Sequence, residues 1–81
     1  MMAFEQFRSG VRKILSEDVF PCDGGKASRL PSEYVDELLN KMNWFGTKTM
    51  VEEYFDNRGN YTTDKACIES AANYLWTEDN C

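Results

Sequence analysis

Few side chains in this sequence are equipped for chemistry, and their spacing limits what they can do. The chain has no histidine, which removes the commonest general base, the commonest zinc ligand and the histidine-based triads together. Cys22, Cys67 and Cys81 could supply thiolates, but none has a close ligand neighbour and nothing resembles C-x-x-C. The carboxylate pairs Asp36–Glu37 and Glu52–Glu53 are adjacent. On a helix, adjacent residues diverge by about 100°, so neither pair converges on one substrate atom. The run "CDGGKAS" (Cys22 to Ser28) holds a glycine pair and a lysine, yet it lacks G-x-x-x-x-G-K-[ST] and no strand precedes it. No catalytic, metal-binding or cofactor-binding residue is assigned, and the expectation is a protein that is not an enzyme.

The most unusual run is "YFDNRGNYTT", Tyr54 to Thr63. As a calcium loop it would need oxygen ligands at positions 1, 3 and 5, glycine at 6 and glutamate at 12. Starting at Asp56 puts Arg58 at the third position and Cys67 at the twelfth. Placing Gly59 at the sixth puts Arg58 at the fifth and Lys65 at the twelfth. Each register sets a cation where a ligand belongs, so the run reads as a junction whose Gly59 and asparagines end one helix and whose threonines start the next.

The elements that position these residues are helical. Phe4, Phe7, Val11, Ile14 and Leu15 recur at helical steps and predict a first helix over about 3–16. Gly10 would weaken it and would let another element approach closely. Glu5, Arg8 and Arg12 lie at spacings that suit local ion pairs. Residues 17–31 contain both prolines and a glycine pair and read as a loop, mobile over 21–31, with Val19 and Phe20 tucked back onto the core. A second helix over about 32–45 is expected to start at Ser32 as N-cap, to carry the stripe Val35, Leu38, Leu39 and Met42, and to stop at Gly46. Thr49 followed by Glu52 is a capping box for a short third helix over about 48–56, with a strand as the competing reading. Thr62 or Thr63 caps a fourth helix over about 63–77 with the stripe Ile68, Ala71, Ala72 and Leu75, followed by a frayed tail at 78–81. The whole is a small all-α, single-domain helical bundle of 81 residues, with three longer helices and one short one. A domain of this size has a thin core.

The formal net charge is −5, which opposes nucleic-acid binding because that depends on cations neutralising phosphates. The second helix, "FGTKT" and the third helix could form a helix-turn-helix, with Lys48, Arg58 and Lys65 as contacts. Glu52, Glu53 and Asp56 would then face the phosphates. Partner binding is favoured instead. Phe4, Phe7, Tyr34, Trp44, Phe45, Tyr54, Phe55, Tyr61, Tyr74 and Trp76 exceed what so small a core can hide, and partly exposed Trp and Tyr are typical interface anchors. The expected partner-binding set is Tyr34, Trp44, Tyr61, Tyr74, Trp76 and Arg58, with Asp36, Glu37, Glu52, Glu53 and Asp56 facing a basic surface on another protein or nucleoprotein complex. A homodimer through the same surface is the competing arrangement.

No segment approaches the roughly 18 consecutive apolar residues of a membrane span, and the opening residues do not read as a secretory signal. An odd cysteine count fits a reducing compartment, although Cys22 and Cys67 could pair if the fold brings them together. The expected location is the cytoplasm, that of the host cell if the chain is viral. Short, acidic, histidine-free helical chains without catalytic signatures resemble in kind the proteins with which viruses block host machinery, including anti-CRISPR inhibitors of bacterial immune nucleases. No motif residue carries that resemblance. It implies a phage-encoded inhibitor that occludes a surface, with a small DNA-binding regulator as the alternative.

Overall fold

The computed structural model describes residues 2–17 and 30–80. Four α-helices follow one another: α1 (Phe4–Glu17), α2 (Ser32–Leu39), α3 (Met50–Asp56) and α4 (Asp64–Asn80), with a single 3₁₀ turn at Arg58–Asn60. The all-α bundle expected from periodicity is the observed architecture. The third segment is a helix and not a strand. Expectations for residues 18–29, including the loop, Val19, Phe20 and a Cys22–Cys67 pairing, lie outside the described residues.

α1 is the axis of the fold, because α2, α3 and α4 all pack against it. Its stripe buries Phe7, Val11 and Leu15 completely, while Phe4 and Ile14 are partly covered. The seam with α4 is close. A β-carbon added at Gly10 would lie 3.0 Å from Ile68 Cδ1 and 3.3 Å from Ile68 Cγ2. Glycine thus yields the room that lets Ile68 seat against α1, while buried Ala71 and Ala72 keep the α4 side of the core low. α2 contributes Val35, Leu38 and Leu39 to the same core. α3 seats through Phe55, whose ring meets Phe4 at 5.4 Å and Phe7 at 5.5 Å between centroids, both edge-on, the geometry that aromatic quadrupoles favour.

The caps follow local chemistry. Thr49 and Glu52 form the expected capping box, with Glu52 N donating to Thr49 Oγ1 and Thr49 N donating to Glu52 Oε1. Asn57 ends α3, its amide donating to Glu53 O and its side chain to the same carbonyl at 2.8 Å. Thr63 Oγ1 accepts from Ala66 N at 3.0 Å and starts α4. Pro31, not Ser32, holds the N-cap position of α2. It supplies the extended backbone that a cap needs and has no amide to leave unpaired.

Two boundaries differ from the sequence reading. α2 stops at Leu39, six residues before the expected end at 45, because Asn40 caps it and the chain then folds back through an antiparallel bridge between Met42 and Thr49. At the other end, α4 continues through 78–80 of the tail expected to fray. Glu78 pairs with Lys41 at 3.4 Å, so the last turns are tied to the segment after α2.

The arginines of α1 pair across to a neighbour and not locally with Glu5. Arg12 donates to Asp36 of α2, and Arg8 Nη2 donates to Asn40 Oδ1 at 3.3 Å. The Arg12 hydrogen bond holds the Asp36 carboxyl below its usual range. Both side chains are about half exposed, so the pair fixes helix order more than it adds stability.

Trp76 is the main correction to the expected partner-binding set. It is 8% exposed and belongs to the core. Its position explains why: Ile68, Ala72 and Trp76 are spaced by four, so Trp76 extends the buried stripe, while Tyr74 points away from it. Trp76→Ala is therefore expected to lose about 3–5 kcal/mol from a domain whose whole stability is roughly 4–12 kcal/mol. Denaturant unfolding should show a large drop in midpoint. A variant as stable as the parent would return Trp76 to the surface.

Candidate partner-binding site

The segment between α2 and α3 is built around one side chain. Asn43 is 6% exposed, the only buried polar residue among those described. Its Oδ1 accepts from Phe45 N at 3.0 Å, Thr47 N at 3.1 Å and Thr47 Oγ1 at 3.3 Å, and its Nδ2 lies 3.1 Å from Thr47 Oγ1. Its own amide donates to Lys48 O at 2.6 Å, and its carbonyl accepts from Gly46 N at 3.0 Å. The last bond closes a β-turn over Asn43–Gly46, with Gly46 at φ +71°, a left-handed conformation that costs glycine least.

A turn held this way leaves Trp44 and Phe45 at its tip. They are 90% and 78% exposed. Beside them runs a groove of about 420 Å³ lined by Trp44, Met50, Glu53, Tyr54, Asn57, Asn60, Tyr61 and Tyr74. Four segments contribute: the turn, α3, the 3₁₀ turn with Tyr61 after it, and α4. The ring of Tyr54 lies 6.3 Å from Tyr61 and 5.8 Å from Tyr74 between centroids, so the three tyrosines form a contiguous wall. Burial, with Tyr61 and Tyr74 close by, pushes the Tyr54 phenol up to about 12. Burial and the Glu78 carboxylate also raise Tyr74.

The expected site residues divide accordingly. Trp44, Glu53, Tyr61 and Tyr74 converge on the groove. Glu37 is exposed on α2, and Tyr34 is half-buried against the core. Asp36, Glu52 and Asp56 are engaged within the molecule, with Arg12, the Thr49 cap and Lys48 respectively. Arg58 is not an open contact either: its guanidinium sits 4.0 Å from the Phe55 ring centroid and donates to Phe55 O at 2.7 Å. The groove residues outside the expected set are Met50, Tyr54, Asn57 and Asn60. Asn43 and Phe45, which shape the turn, were also outside it. Asn followed three residues later by Gly is the signature of a type I turn, and Asn43 and Gly46 carried it.

The helix-turn-helix expectation fails on geometry. Such motifs join their helices by three or four residues, whereas residues 40–49 intervene here with a bridge between Met42 and Thr49. Lys48 is paired with Asp56 at 2.6 Å, which raises its pKa, and Lys65 lies 4.0 Å from Glu69. Cys67 is buried with a free thiol, its Sγ 3.4 Å from Tyr54 O, and burial raises its pKa. No group of His, Cys, Asp or Glu suited to a metal ion occurs among the described residues, and none of their helices is long and apolar enough to cross a membrane. No family model matches the chain, and no curated protein or solved structure is significantly similar to it.

Two measurements test this construction. Asn43→Ala leaves the amides of Phe45 and Thr47 without their acceptor and should lose about 1–3 kcal/mol, with faster hydrogen exchange at those two amides. Unchanged exchange would show that the turn does not depend on Asn43. For Tyr54, ultraviolet absorbance should show a tyrosinate step near pH 12 that vanishes in Tyr54→Phe. Its native pKa lies above the ordinary value of 10, so its contribution to stability is complete below pH 10 and is lost as pH rises through about 12.

Proposed function

We propose that this protein is a non-enzymatic binding protein that occludes a basic surface of a larger protein or nucleoprotein complex, in the manner of a viral inhibitor of a host machine. The observation that carries this reading is the exposure of Trp44 and Phe45 on a turn that Asn43 holds in place. Large exposed aromatics beside a groove are the composition of an interface centre. Covering both rings would remove roughly 300–400 Å² of apolar surface, about 7–10 kcal/mol before the costs of association. Glu53 in the groove, Glu37 on α2 and the net charge of −5 favour a target rich in Lys and Arg, chiefly through the rate and specificity of encounter.

The direct DNA-binding reading has less support, since Lys48 and Lys65 lie beside carboxylates and Arg58 is spent on Phe55.

The test compares the parent with Trp44→Ser/Phe45→Ser as baits in native host lysate. The double variant should keep its helical circular dichroism and a stability within about 1 kcal/mol, as exposed positions allow. It should also lose a partner that the parent captures specifically. If both baits retain the same partners, the turn is not the binding surface.

A further inference from the structure

The groove carries a narrower chemistry than apolar contact. Its wall is three tyrosine rings, Tyr61, Tyr54 and Tyr74, in sequence at 6.3 and 5.8 Å. Trp44 lines it from the turn, and Glu53, an acidic residue, lines it from α3. Aromatic faces are negative, and several rings around one space attract a cation within about 6 Å of each centroid. A carboxylate in the same space adds a formal charge of the right sign. Neutral aliphatic ligands would gain nothing from Glu53 and would leave it partly desolvated.

Resting on the binding reading above, we propose that the groove is an aromatic cage for an alkylammonium side chain, a lysine or N-methylated lysine presented by the partner protein. The volume of about 420 Å³ exceeds what one side chain fills and leaves room for flanking backbone. The overall negative charge draws a basic segment toward it. Tyr74 is a contacting residue of the wall, its ring 5.8 Å from that of Tyr54. Trp44 has a double part, since it both lines the cage and stands on the exposed tip.

Short blocked peptides that differ at one central side chain test this directly on the unmodified protein. Lysine, trimethyl-lysine and neutral norleucine would be titrated while the tyrosine ring resonances are followed by NMR. The lysine-type cations should bind at least about tenfold tighter than norleucine, and Glu53→Gln and Tyr74→Leu should each weaken them about fivefold to tenfold. Equal binding of norleucine would overturn the cage, leaving an unselective apolar groove. Absence of any shift with all three peptides would overturn it as well. So would a concentration-dependent shift of the same resonances without peptide, since a second copy would then be the occupant. The broader reading fails separately. If Glu53→Gln and Tyr74→Leu still capture the lysate partner while Trp44→Ser/Phe45→Ser does not, the cage is wrong and the binding turn stands.

Discussion

The close approach of α1 to α4 is the constraint on which the rest of the molecule depends. In a domain this small the helices share one core, and α1 and α4 each pack against the other three. Gly10 lets Ile68 come within contact of the α1 backbone, and Ala71 and Ala72 present little bulk from the other side. Phe7, Val11 and Leu15 are fully buried in the same core, and Phe7 meets Phe55 of α3. Larger residues along this line would push α4 outward and open the wall of tyrosines, because Tyr74 rides on α4 while Tyr54 rides on α3.

Among the described residues, three ion pairs tie separate segments together. Arg12 with Asp36, Lys41 with Glu78, and Lys48 with Asp56 each join segments that are apart in sequence. Exposed pairs of this kind add little stability, but each disfavours a different packing of the same helices. Of the five carboxylates Asp36, Glu37, Glu52, Glu53 and Asp56, three are engaged within the molecule: Asp36 with Arg12, Glu52 in the Thr49 cap and Asp56 with Lys48.

Aromatic residues divide by the same logic of neighbours. Phe4, Phe7 and Phe55 meet edge to edge and fasten α3 to α1, and Trp76 fills the α4 stripe. Trp44 and Phe45 stand at the tip of a turn and not on a helix, because the chain leaves α2 before reaching them. The buried Asn43 amide replaces helical backbone bonds with side-chain bonds, so that the turn stays ordered while its two rings remain in solvent.

By itself the sequence determined what depends on residues close along the chain: the helical class, the stripes of α1 and α4, the Thr49–Glu52 box, a threonine cap at 62 or 63 and the role of Gly10. Periodicity and capping are local, and three or four residues suffice to express them. It misplaced the end of α2 because Met42, Trp44 and Phe45 continue an apolar pattern, while the turn signal of Asn43 and Gly46 is short. Tertiary structure alone decided which tryptophan is buried, which carboxylates already have partners and which aromatics share a wall. Those outcomes depend on which helix covers a given flank. Trp76 and Tyr74 are two residues apart and differ in fate only because α4 turns one toward the core and the other toward α3. The groove exists because the α2–α3 turn, α3, the 3₁₀ turn and the Tyr74 face of α4 meet, and no spacing in the sequence encodes that meeting.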